Sequence, residues 1–161
     1  FSTHDYNLKS HIAAAIGRVE LARYETETLP KRRHIFERYH AAFSSCVWAE
    51  TPVSEKMDTG KLIRSSFHLY PLRIKGISES QRDRIMKGIF DRGVSVNVHF
   101  IPLPMMSFYR LAGYDIAHYP VAYDNYAREI SLPVYYNLSE GDADRVFEAV
   151  KSSVENVISE N

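Results

Sequence analysis

The spacing of apolar residues changes several times along the chain, and each change predicts an element. Between His11 and Tyr24, the residues Ile12, Ala15, Ile16, Val19 and Ala22 recur at intervals of three and four, which places them on one side of an α-helix. Pro30, shortly after Thr28, suits the first turn of a second helix, where a missing N–H is tolerated; Ile35, Phe36, Tyr39, Ala42 and Phe43 supply its apolar stripe. The two helices are expected to form a hairpin or one kinked rod. Residues 50–64 mix proline, glycine and charge without a period and read as a surface loop.

Ser65 to Lys75 is rich in aromatic and branched residues and predicts a strand, with Pro71 pointing to an edge position or a bulge. Ser78 or Ser80 can cap a helix that runs to about Asp91, with Ile85, Ile89 and Phe90 facing inward and Gly93 ending it. From Val94 to Phe100 the alternation is strict. It predicts a second strand whose valines and Phe100 enter the core while Ser95, Asn97 and His99 share the opposite face. Pro102 and Pro104 break that strand into a loop. A short helix over Met105–Leu111, a helix over Ala122–Ile130, a strand over Ser131–Val134 and a serine-capped helix over Ser139–Ile158 complete the chain. The order predicts an α/β or α+β fold: a long helix pair, then a small sheet with helices packed on one face.

Composition narrows the function. A chain of 161 residues, 45% hydrophobic and 25% charged, suits one compact domain. Twenty basic and twenty acidic side chains cancel, so no overall field favours nucleic acid or an anionic membrane, and Lys31-Arg32-Arg33 reads as a solvated helix face. No apolar run approaches the ~20 residues needed to span a membrane, and no signal pattern opens the chain. The single Cys46 permits no internal disulfide, which fits a reducing, cytoplasmic setting. The start at Phe1, without an initiator methionine, is expected of a fragment or a processed product.

Conventional catalytic signatures are missing: no serine elbow and no phosphate-binding glycine loop. His34 and His40 lie about 240° apart around a helix and do not share a metal through one face. No ligand spacing supports a metal site, which argues against a metal hydrolase built on His99. His99 still stands out, because it ends an alternating strand on its polar side just before a proline-rich loop. The residues alone thus reach a module with a pocket around His99.

Several segments in register add more. Asp5-Tyr6-Asn7-Leu8-Lys9 resembles a Gly-Tyr-Asn-x-Arg element, followed by the Ala13–Gly17 helix, Leu21, and Arg32-Arg33 with Ile35 and Tyr39. His99-Phe100-Ile101-Pro102-Leu103 resembles a His-Tyr/Phe-x-Pro-x segment, with Phe108-Tyr109 beyond it. Tyr119-Pro120-Val121-Ala122 and Ile130-Ser131-Leu132-Pro133-Val134 resemble Phe-Pro-x-Ala and Leu-Ser-Leu-Pro-Leu elements. Together these are similar to the C-terminal region of the DegT/DnrJ/StrS aminotransferases, which use pyridoxal phosphate (PLP) to pass an amino group from glutamate or glutamine to a nucleotide-linked keto sugar.

The resemblance implies the small C-terminal domain of a fold-type I PLP enzyme, with residues 1–50 a helical interface segment linking to a large domain and residues 51–161 the small domain. It implies a homodimer in which Asn7, aided by Lys9, reaches the cofactor phosphate of the neighbouring subunit, and a substrate cleft touched by His99 and Tyr109. Lys9 stands where the family usually has arginine, Pro104 where many members have a second histidine, and Ser107 where they often have proline; the sugar-facing loop is therefore expected to differ in donors and shape. The catalytic lysine is expected outside this chain, since none of Lys9, Lys31, Lys56, Lys61, Lys75, Lys87 and Lys151 has the family's surroundings. The chain alone is thus expected to be inactive, with no catalytic residue of its own, and its helices over residues 11–46 to self-associate. The alternative is a free-standing noncatalytic ligand-binding or interaction module of the same fold.

Overall fold

The computed structural model describes the backbone of residues 3–160 and the side chains of residues 10–160. Helix α1 (Thr3–Arg23) passes through a π-helical turn, Tyr24–Thr28, directly into α2 (Leu29–Phe43). Of the two arrangements expected, one continuous rod is realised. The wider turn falls just before Pro30, whose ring has no N–H to return to the preceding turn.

Three strands, β1 (Ala49–Glu50), β4 (Tyr70–Ile74) and β5 (Glu129–Leu132), form an antiparallel sheet in the order β1-β4-β5. The stretch read as a loop over 50–64 contains a separate hairpin, β2 (Glu55–Asp58) with β3 (Lys61–Arg64), joined through Thr59 and Gly60 at positive φ. Both of its strands are exposed on both faces, so burial imposes no alternation on the sequence. The strand expected over 65–75 shrinks to β4, which is central. Pro71 is tolerated there because β1 pairs only with Arg73 and Ile74, leaving β4 open on that side at Pro71.

The strand expected over Val94–Phe100 does not form beyond one bridge between Asn97 and Ser131. Val94 and Val96 are buried as expected, but Phe100 is 72% exposed. The alternation fails after Asn97 because side chains take the place of a ladder: Asn97 Oδ1 accepts the Val98 N–H at 2.8 Å and Glu129 accepts the His99 N–H.

Helices α3 (Glu79–Asp91), α4 (Ser107–Leu111), α5 (Pro120–Arg128) and α6 (Glu140–Ser159) complete the chain. Ser78 caps α3 through a reciprocal box with Gln81, Gly93 follows its end at φ 75°, and Ser139 caps α6. The apolar face of the sheet, with Tyr70, Leu72 and Ile74 of β4 and Ile130 and Leu132 of β5, joins Ile35, Phe36, Tyr39 and Phe43 of α2 and the buried side of α6 in one core. Aromatic edges meet there: Phe36 lies 4.7 Å and Tyr39 5.2 Å from the Tyr70 ring, and Phe43 lies 5.0 Å from Phe147. The Tyr39 hydroxyl donates to Pro133 O at 3.0 Å, so a polar tip inside this cluster is satisfied. Helices α3 and α6 approach closely at Gly88, where a Cβ would stand 2.9 Å from Ser153 Oγ.

Candidate functional site

The register of the sheet determines what lies opposite that core. Tyr70 pairs with Leu132 and Leu72 with Ile130 on the apolar face, so Pro71 with Ser131 and Arg73 with Glu129 share the other one. Glu50 pairs with Arg73 from β1, completing a row Glu50–Arg73–Glu129 across three strands. This polar face, together with α5 and the His99 loop, walls a cleft of about 410 Å³. Pro52, Phe100, Pro102, Ala122 and the Tyr126 ring give it apolar sides; Arg73, His99, Asn125 and Glu129 give it polar ones. Apolar walls with few convergent polar groups are the usual make-up of a small-molecule site.

Each polar group has defined partners. The Arg73 guanidinium donates to Glu50 and to the Asn125 side chain. Arg128 holds Glu50 from the other side at 3.2 Å and Asp124 along its own helix, and its hydrogen bonds to Asp124, with its charge, keep that carboxyl below its usual range. Glu129 is 5% exposed; one of its oxygens accepts the Ser131 hydroxyl and the other accepts the His99 N–H at 3.0 Å. Burial pushes the Glu129 carboxyl above the ordinary value, against the pull of those two donors and of the Arg82 charge. His99 Nδ1 is buried and has no hydrogen-bond partner among the described residues.

Helix α5 is anchored from behind. Arg82, 2% exposed on α3, donates to Tyr126 O at 2.9 Å and lies 4.9 Å from the centre of the Tyr126 ring. Glu79 accepts from the hydroxyls of Tyr123 and Tyr126, each at 3.0 Å. Arg82 is the one buried arginine among the described residues, and its charge is met by Asp83 at 2.6 Å and Glu79 at 3.6 Å as well as by the Tyr126 contacts.

Of the residues singled out from the sequence, His99 lines the cleft. Tyr109 lies on α4, with its ring 5.4 Å from Phe108 and 6.0 Å from Tyr114, outside the cleft lining. Asn7 and Lys9 belong to the backbone of α1, and their side chains lie outside the described residues. Pro104 lines a separate cavity of about 470 Å³ with Arg110 and Tyr114, and Ser107 opens α4. Sequence reading missed Arg73, Asn125 and Glu129. Glu129 fell within the helix expected over Ala122–Ile130, whereas α5 ends at Arg128 and β5 begins at Glu129, and Arg73 and Asn125 become neighbours only through pairing and helix placement. Among the described residues, no group of three or more His, Cys, Asp or Glu side chains could hold a metal, and no helix is long and apolar enough to cross a membrane.

Comparison with known proteins places the chain in a family. Spore coat polysaccharide biosynthesis protein SpsC of Bacillus subtilis is 34% identical over 148 residues, covering 89% of this chain and 36% of its own length. An uncharacterised protein of Methanocaldococcus jannaschii, MJ1066, is 33% identical over 161 residues, 98% of this chain and 39% of its own. Among solved structures, the putative sugar aminotransferase Spr1654 from Streptococcus pneumoniae superposes with a TM-score of 0.84 in its apo form, at 32% identity, over 91% of this chain and 35% of that one. The chain therefore spans little more than a third of the length of these relatives. Residues 2–151 match the model of the DegT/DnrJ/EryC1/StrS aminotransferase family, and the chain belongs to that family.

Proposed function

We propose that this chain is the C-terminal part of a PLP-dependent enzyme that transfers an amino group from glutamate or glutamine to a nucleotide-linked keto sugar, with the reactive lysine in polypeptide outside these residues. Family membership over residues 2–151, at about a third of the relatives' length, supports a partial enzyme. Spr1654 has been solved in PLP and PMP forms, and SpsC is named for polysaccharide biosynthesis; both support the cofactor and a sugar substrate.

The observation that carries the reading is the cleft at His99, which gathers Arg73, His99, Asn125 and Glu129 and has no lysine in its lining. PLP needs a lysine to hold it covalently, an acid for its ring nitrogen and a cup for its phosphate. The described residues do not fit it. Lys31, Lys56, Lys61, Lys75 and Lys87 are exposed, Lys151 is half-buried on α6, and none lines the cleft. Arg73, the one cation there, is committed to Glu50 and Asn125. No chemical step is therefore assigned to this chain. Its contribution is a wall: His99 and Tyr109 contact the sugar, while Asn7 and Lys9 reach the cofactor phosphate of a neighbouring subunit in a cytoplasmic homodimer. An amide N–H and an ammonium suit that phosphate as donors. Within residues 1–50, α1 carries the interface role, supported by its exposed Ile12, Ile16, Val19 and Leu21, whereas α2 and β1 are built into the core and the sheet.

The test is a PLP titration followed by absorbance. This chain alone is expected to show only free cofactor, while the complete enzyme shows the spectrum of a lysine-bound one. Stoichiometric lysine-bound absorbance from the chain alone would refute the proposal.

A further inference from the structure

We propose that Glu129 is a positioning residue: its buried carboxylate, steadied by the Ser131 hydroxyl, holds the backbone of His99 at the cleft wall and so sets where the imidazole meets substrate. The inference rests on the reading of His99 as a substrate contact.

All four residues of β5 are buried, and an apolar side chain at position 129 would serve that strand's stability better than a carboxylate. Both hydrogen-bond donors to Glu129 are neutral groups. The cation best placed to pair with it is Arg73, directly opposite in register, yet Arg73 turns to Glu50 and Asn125. Arg128, next in sequence, is taken by Asp124 and Glu50. A carboxyl group kept in a buried strand without a salt bridge calls for an explanation beyond packing.

The backbone around His99 supplies one. Asn97 and Ser131 exchange both backbone hydrogen bonds, at 2.7 and 3.3 Å, and there the ladder stops. The residue after Asn97 on the paired side, His99, would present its N–H to nothing. Glu129 lies two residues from Ser131 on the same face and supplies the acceptor that the missing ladder does not. Ser131 thus acts twice, through its backbone on Asn97 and through its hydroxyl on Glu129, so one short strand controls both ends of the Asn97–His99 segment. With one oxygen held by the Ser131 hydroxyl and the other accepting the His99 N–H, the Glu129 side chain is a fixed acceptor, which suits a segment that must hold one side chain in place.

The experiment compares Glu129→Ala, Glu129→Gln, Ser131→Ala and His99→Ala. In the full chain, hydrogen exchange of the His99 amide is expected to accelerate about tenfold or more in E129A, as loss of a bond to a charged acceptor implies. It should return most of the way in E129Q, which retains an acceptor, and amides of the α3 and α6 core should not move. If E129A fails to fold, S131A carries the same arm with a smaller acceleration. In the complete enzyme, E129A is expected to raise KM for the keto sugar about tenfold with kcat within about twofold, and to add nothing on top of H99A. Unchanged His99 exchange in E129A and S131A, or multiplicative effects of E129A and H99A, would overturn the inference. A normal KM in H99A would instead refute the substrate role of His99, while the exchange arm still decides whether Glu129 positions it.

Discussion

Helices α1 and α6 have 21 and 20 residues and both carry apolar side chains at helical spacing, yet one keeps its stripe in solvent and the other buries it. On α6, Ala143, Val146, Ala149, Val150, Val154 and Val157 are buried against α2, α3 and the sheet. On α1, Ile12, Ile16, Val19 and Leu21 are all exposed. Periodicity thus reports that a helix has an apolar side; whether that side is covered depends on what else is present to meet it. Helix α2, continuous with α1 through the π turn, lies on the covered side of that divide.

Four substitutions probe where the divide falls. Phe43, with no exposed surface and rings of Tyr39, Trp48, Tyr70 and Phe147 around it, joins α2 to the sheet and α6. Phe43→Ala should cost about 3–5 kcal/mol in denaturant unfolding. A loss under about 1 kcal/mol, the size of a surface change, would show that α2 does not unfold with α6. Gly88→Ala forces a methyl against Ser153 at the α3–α6 crossing and should cost about 1–3 kcal/mol, with partial recovery in the G88A/S153A double variant. Absence of recovery would place the strain elsewhere.

Ser78→Ala removes the capping box at the start of α3 and is expected to cost about 1 kcal/mol, read from the thermal midpoint. Equal stability would mean that water replaces the cap. The smallest effect is expected on α1: Ile16, 60% exposed, should tolerate Ile16→Ser within about 0.5 kcal/mol in unfolding, while light scattering at high concentration shows less self-association. A cost comparable to that of F43A would mean that α1 is already packed in this chain.

The helices were the most legible part of the fold, because each carries a period, a cap or a stop within its own residues: Ser78 with Gln81, Ser139 with Asp142, Gly93 after α3. The strands were less so. Val94–Phe100 alternates like a strand, but its backbone is bonded by the side chains of Asn97 and Glu129, an outcome that depends on β5 lying alongside. The hairpin at 55–64 escaped because neither face is buried and its strands carry no alternation to read. At the site, His99 was marked by its place before a proline-rich loop, whereas Arg73 and Asn125 are 52 residues apart in sequence and meet only when α5 crosses β4.

What the sequence determined by itself was local: helix periods, serine caps, the positive-φ glycine after α3, and a string of short motifs sufficient to identify a family. What the tertiary structure decided was relational. It set which apolar stripes find a partner, which strand becomes central despite its proline, and which of three acids and two arginines on the polar face pair with one another. The reason is physical: caps and periods act over one turn of chain, whereas burial and ion pairing are settled between residues that only strand register and helix packing bring within reach.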